Sequence, residues 1–197
     1  KKILELEKAT KQTELQQLKK QINPHFLFNM LNNANILVKD APDEASQILE
    51  KLDNLLRYQL NDSTRREVFL TADIQFLTSF LELEKVRRDH FEYTIFQEGN
   101  MENICIPPLL FIPFVENAVK HNLDSDNLSY VHLYFSVHNK QLTFRCENSK
   151  PRVPVKREGG IGLANVKRRL DLLYESRYTL QIEDKETTYN VNLHLNL

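Results

Sequence analysis

Pro24 is the only helix breaker in residues 1–40, a stretch rich in the helix formers Leu, Gln, Lys and Glu. Upstream, Leu15, Leu18 and Ile22 have the spacing of a coiled-coil seam. Downstream, Leu27, Met30, Leu31, Ala34, Leu37 and Val38 make an apolar stripe of helical period. At about 100° per residue that stripe lies on the side opposite Leu18, so the buried face changes side across the proline. A proline inside a helix is expected to kink it at this point.

Pro42, Asp43 and Glu44 after a short turn mark a second helix start, with proline and acids in the first turn. Ala45, Ile48, Leu52, Leu55 and Leu56 line one face of a helix that should run to about Leu60. Two amphipathic helices joined by a short turn form a hairpin, which buries little alone. Pairing two hairpins into a four-helix bundle is the natural solution, which predicts a homodimer, although the rest of the chain could cover the stripe instead.

A polar link over 61–66 precedes a third helix over 71–88. Beyond it the pattern changes to a strand over 91–97, a helix over 107–122, and a hairpin of 130–137 with 141–147 turning at His138-Asn139-Lys140. A helix over 162–174 and a closing hairpin of 178–183 with 189–195 complete the chain. Helices against one mostly antiparallel sheet make an α+β sandwich. The expected organisation is a signalling helix and helical hairpin over 1–66, then a second domain over 67–197.

The net charge of −1 provides no basic field to attract nucleic acid. Cys105 and Cys146 lie far apart and have no CxxC partner, which argues against a disulfide framework or a zinc site. No apolar run approaches the ~18 residues needed to cross a bilayer. The chain begins inside a charged helix with no signal peptide, so it reads as a piece of a longer protein.

His25 stands in Gln21-Ile22-Asn23-Pro24-His25-Phe26-Leu27-Phe28-Asn29. Relative to Leu27, the stripe clusters within about 80° and His25 falls near 160°, which exposes the imidazole. Asn29, four residues on, shares its face. A neutral imidazole offers a nucleophilic lone pair at physiological pH, provided its other nitrogen holds the proton, and Asn29 is one candidate to orient it. Most exposed histidines have no catalytic role, so the surroundings must decide. Phe26 and Phe28 flank the histidine away from the stripe's centre, where they either meet a partner or seal a bundle end.

Two segments bear on nucleotide chemistry. In Pro113-Phe114-Val115-Glu116-Asn117-Ala118-Val119-Lys120-His121-Asn122, Glu116 pairs in spacing with Lys120, and Asn117 with His121. Asn117 offers a hard oxygen to Mg²⁺, and Lys120 a cation to phosphate. The bland alternative is a solvent-facing Glu–Lys pair. In Glu158-Gly159-Gly160-Ile161-Gly162-Leu163, three of the four glycines of the chain stand directly before a helix, where backbone can approach a phosphate. The spacing is neither GxxxxGK[ST] nor GxGxxG, which excludes P-loop and Rossmann readings.

Taken in order, these segments resemble the LytS-like class of bacterial sensor histidine kinases. Asn23-Pro24-His25-Phe26-Leu27-Phe28-Asn29 resembles the histidine box, 113–121 the asparagine box, and Gly160-Ile161-Gly162-Leu163-Ala164-Asn165-Val166 the second glycine box. Leu83-Glu84-Lys85-Val86-Arg87 is similar to the stretch before the ATP domain. The resemblance implies a histidine-bearing hairpin joined to an ATP-binding sandwich of GHKL, or Bergerat, type. It implies a protein histidine kinase that uses ATP and Mg²⁺, with His25 as phosphoacceptor. Glu116 and Asn117 take the general-base and metal positions, Lys120 and His121 contact phosphate, and Gly160, Gly162 and Leu163 shape the lid around the triphosphate. The implied partners are a second copy of the chain and the receiver domain of a response regulator. The implied setting is the cytoplasmic portion of an inner-membrane protein, anchored through segments outside this chain.

Three positions depart from the pattern, one of them Glu158, which stands where the second glycine box has its first glycine. Where related ATP domains carry Asp-x-Gly-x-Gly, this chain has Asn148-Ser149-Lys150-Pro151-Arg152, so Asn148 replaces the adenine-binding acid and the glycines are missing. Phe26 stands where other classes place an acid beside the phosphoacceptor. These departures leave a second reading, a dimeric signalling scaffold with a degenerate nucleotide site. A third is an ATPase acting on another molecule, which would leave His25 without a role.

Overall fold

The computed structural model describes Thr10, residues 24–152 and residues 161–197. The expected seam at Leu15, Leu18 and Ile22, and with it the kink, lies outside the described residues. Helices α1 (Pro24–Leu37) and α2 (Pro42–Leu60) form the hairpin, and a 3-10 turn (Asp62–Thr64) leads to strand β1 (Val68–Phe69) and helix α3 (Leu70–Arg87). There follow β2 (Phe91–Glu98), β3 (Cys105–Ile106), α4 (Ile112–His121), β4 (Ser129–His138), β5 (Gln141–Ser149), α5 (Ile161–Tyr174), β6 (Tyr178–Asp184) and β7 (Thr188–Asn196). The architecture is α+β, as the sequence predicts.

The main sheet has the order β2-β4-β5-β7-β6. Only β2 and β4 run parallel, joined by a crossover that contains α4. The β4–β5 hairpin turns on Asn139 and Lys140, both at positive φ, which suits the right-handed twist of the flanking strands. Its inner face carries Val131, Leu133, Phe135, Leu142, Phe144 and Cys146, all buried.

Helix α3 joins the two halves. Leu70, Ile74, Leu77, Phe80, Leu81 and Leu83 are buried, because α3 packs on α2 on one side and on β2 and α4 on another. Met30, Ala34, Ile48, Leu52 and Leu55 of the hairpin therefore belong to one apolar core with the sheet residues. Part of the hairpin stripe is thus covered within the chain. Leu31 and Val38, placed on that stripe by period, are instead exposed together with Phe28 and Ile36. Phe26 turns inward and rests on Phe80, with ring centroids 4.8 Å apart, so of the two flanking aromatics only Phe28 faces outward.

The helix expected over 107–122 begins five residues late, at Ile112. Pro108 biases Pro107 away from helical backbone, and Leu109 has φ 56°, which no right-handed helix tolerates. The loop is held instead by two charged side chains distant in sequence. Asp73 accepts the Leu109 N–H at 3.2 Å, and Arg169 donates to the carbonyls of Leu109 at 2.5 Å and of Pro108.

Candidate active site

Aromatic packing sets the pitch of α4. Phe111 lies 4.6 Å from Phe144 and 5.3 Å from Phe135, and Phe114 lies 5.8 Å from Phe144. Ile112, Val115, Ala118 and Val119 are buried with them. Helical period then puts Pro113, Glu116, Asn117, Lys120 and His121 on the remaining face. The C-terminal end of α4 is pinned by Arg88. Its guanidinium donates to Asn122 Oδ1 at 2.9 Å, to the Asn122 carbonyl at 3.3 Å and to Ser129 Oγ at 2.6 Å. Asn122 is fully buried and donates onward to the Tyr130 carbonyl.

That polar face opens on a cavity of ≈ 460 Å³. Pro113, Glu116, Asn117, Lys120 and His121 line one wall, together with Val119, Leu123 and Gly162. His25, Phe26 and Asn29 of α1 and Phe80, Glu84 and Arg87 of α3 line the others. Residues of the predicted acceptor and donor sites therefore share one cavity in one chain. His25 is exposed, as its helical phase requires, and Asn29 Nδ2 lies 3.3 Å from His25 Nδ1. This contact fits either ring tautomer, according to the orientation of the amide. With the amide nitrogen toward the ring, Nδ1 carries the lone pair. With the amide turned over, Nδ1 keeps its proton against Asn29 Oδ1 and the lone pair moves to Nε2. Burial pushes the Glu116 carboxyl up to about 7, so it can hold or release a proton near neutrality.

The other predicted positions are more scattered. Gly162 lines the cavity, and a Cβ added there would meet nothing within 4 Å, so packing does not require the glycine. Leu163 is exposed beside it but does not line the cavity. Gly160 lies outside the described residues. Asn148 is buried on β5, donates to the Ser149 carbonyl at 2.8 Å, and is not among the cavity-lining residues. Glu84 and Arg87 are the charged cavity residues to which sequence reasoning gave no role beyond their place in the stretch before the ATP domain. The available signal was an acid on the apolar face of α3, four residues from Phe80 and seven from Leu77.

The cavity chemistry suits the phosphate end of a nucleotide. Among the described residues no cluster of three His, Cys, Asp or Glu side chains could hold a metal alone. Mg²⁺ needs no such cage, because it retains waters and draws further ligands from phosphates, and the oxygen of Asn117 is a fitting protein ligand.

The family model for histidine kinases matches residues 13–91, which include His25, Glu84 and Arg87. Sensor protein LytS of Staphylococcus haemolyticus is 30% identical over 203 residues, spanning 95% of this chain and 35% of that protein. The chain belongs to the histidine kinase family. It spans about a third of the length of this LytS relative. The fold agrees with that of solved histidine kinases. The histidine kinase domain of the blue-light activated kinase EL346 from Erythrobacter litoralis superposes with a TM-score of 0.52 at 16% identity, covering 96% of this chain and 93% of that one. Histidine kinase ThkA, solved in complex with response regulator protein TrrA, gives a TM-score of 0.51 at 14% identity, covering 99% of this chain and 66% of that one. At these identities the likeness shows the shared fold of the kinases.

Proposed function

We propose that the chain is the kinase core of a sensor histidine kinase and transfers the γ-phosphoryl group of ATP to its own His25. The observation that carries this reading is the common cavity of His25, Glu116, Asn117, Lys120 and His121. A lone-pair nitrogen of His25 attacks the γ-phosphorus as the bond to the β–γ bridging oxygen breaks, and ADP departs with that electron pair. The ring then carries a positive charge and sheds one proton, for which Glu116 is the candidate acceptor. Phosphoryl transfer depends chiefly on positioning and charge neutralisation. Lys120 and His121 contribute donors, and Asn117 an oxygen toward Mg²⁺, which when bound neutralises phosphate charge. Because His25 lines the same cavity as these donor residues within a single chain, we read the transfer as running within a protomer.

On this reading residues 1–66 carry the phosphoacceptor and 67–197 bind nucleotide. Phosphate then passes from His25 to an aspartate in a response regulator receiver domain, a step supported by the ThkA complex with its response regulator. The exposed apolar side chains Phe28, Leu31, Ile36, Val38 and Leu49 support dimerisation through the hairpin. We infer attachment to the inner membrane, on its cytoplasmic side, only through segments beyond this chain. Among the described residues no helix is long and apolar enough to cross a membrane.

The test is incubation with γ-labelled ATP and Mg²⁺. Acid-labile label on the wild type that disappears in His25→Gln supports the reading. Bound nucleotide with no label under any condition contradicts it. One observation favours the scaffold alternative: Asn148 is turned to its neighbour's carbonyl and is absent from the cavity wall. Calorimetry with ATP and Mg²⁺ separates the two readings, because micromolar binding lost in Asn117→Ala rules out a nucleotide-free scaffold.

A further inference from the structure

Glu84 is 3% exposed, in a helix whose other buried positions are mostly apolar. A buried carboxylate carries a large desolvation cost, and an ordinary i,i+3 surface ion pair recovers little of it. Its observed partner is Arg87, whose Nη2 donates to Glu84 Oε2 at 2.9 Å. Both residues line the cavity that holds His25 and Asn29 on one helix and Asn117, Lys120 and His121 on another. Arg87 is about one-third exposed, so its guanidinium is reachable from solvent.

Stability alone does not account for this arrangement, because an apolar residue at position 84 would fill the space without burying a charge. A carboxylate set behind an arginine fixes the plane of the guanidinium. The guanidinium presents five N–H donors in a rigid fork, of which the bond to Glu84 uses one. Phosphate oxygens are the ligands that such a fork fits best. The transferring phosphoryl group must travel between the nucleotide residues of α4 and the imidazole of α1, and α3 supplies the third wall of the space it crosses.

We propose that Arg87, oriented by the buried Glu84, binds the equatorial oxygens of the phosphoryl group in transit between ATP and His25. Arg87 is then a catalytic residue and Glu84 a positioning residue. The proposal rests on the autokinase reading above. The bonds made and broken are those of that reading, and Arg87 contributes hydrogen bonds and charge without gaining or losing a proton.

The experiment measures initial rates of labelling by γ-labelled ATP over a range of ATP concentrations. It compares the wild type, Arg87→Ala, Arg87→Lys, Glu84→Gln and His25→Gln, with thermal melting of each. Removing a donor aimed at developing charge lowers the maximal rate by about 10²-fold. The expected result is such a loss in Arg87→Ala with the half-saturating ATP concentration little changed. Arg87→Lys should recover part of the rate, and Glu84→Gln should lose about 10-fold by loosening the guanidinium. Wild-type rates in Arg87→Ala, or a loss confined to ATP affinity, overturn the proposal while the kinase reading stands. If Arg87→Ala melts well below the wild type, Arg87→Lys and Glu84→Gln decide, and wild-type maximal rates in both at unchanged melting overturn the proposal. Absence of label in the wild type, or equal label in His25→Gln, removes the kinase reading and this proposal together.

Discussion

Tyr58, on the second hairpin helix, donates its hydroxyl proton to the fully buried carboxylate of Asp73 on α3. The same Asp73 oxygen accepts the Leu109 N–H, and Arg169 on α5 holds the carbonyls of that loop. One carboxylate thus connects the hairpin, the loop that starts α4 and, through that loop, the helix that carries most of the second glycine box. Its second oxygen and Arg169 Nε make no hydrogen bond, although both are buried and the two side chains attract each other electrostatically.

Removing the Tyr58 hydroxyl should therefore weaken the whole junction. Tyr58→Phe keeps the ring stacked on Phe76, at 4.6 Å between centroids, and deletes only the donor. A hydrogen bond to a charged, buried acceptor contributes about 1.5–3 kcal/mol, and a loss of that size is expected in urea unfolding. The Asp73 pKa should also rise, because the Tyr58 hydrogen bond lowers it.

Asp73 makes stability depend on pH in a predictable direction. Burial pushes its carboxyl up to about 6, against the opposing pull of Tyr58, the Leu109 N–H and Arg169. Its value in the unfolded chain is about 3.9. Between about pH 4 and 6 the unfolded chain releases this proton and the folded chain retains it, so the group's contribution falls as pH rises and is flat above. Asp73→Asn keeps an acceptor at Oδ1 and cannot titrate. The stability of the wild type minus that of Asp73→Asn, from denaturant unfolding at fixed pH steps, should decline across that window. A difference that rises or stays level contradicts the assignment.

Gly162 separates packing from ligand binding. Open space around its Cβ position means that Gly162→Ala should fold normally and gain up to about 1 kcal/mol from helix propensity. If phosphate approaches the backbone there, the same variant should bind ATP with Mg²⁺ more weakly, as calorimetry would show. Greater thermal stability with weaker binding is the expected pair of results.

Much of this site is legible in the sequence because it depends on single-helix geometry. The exposure of His25 follows from its phase against Met30 and Ala34, and the polar face of α4 from the phase of Glu116, Asn117, Lys120 and His121 against Val115 and Val119. What depended on tertiary contact was not legible. The positive φ of Leu109 that delays α4 to Ile112 is held by Asp73 and Arg169, far from it in sequence. The exposure of Leu31 and Val38 reflects α3 covering only part of the hairpin stripe. Glu84 and Arg87 acquire a cavity only when α3 lies beside α1 and α4, which no local pattern encodes.

The central claim is that His25 takes its phosphoryl group from the cavity it lines in its own chain. The most direct measurement mixes His25→Gln with Asn117→Ala protein after joint unfolding and refolding, then adds γ-labelled ATP and Mg²⁺, with wild type treated in the same way as the control. Label on the wild type, none on either variant alone and none on the mixture is the predicted result. Label that appears on the mixture would mean that one protomer's nucleotide site serves its partner's histidine, and would contradict transfer within the chain.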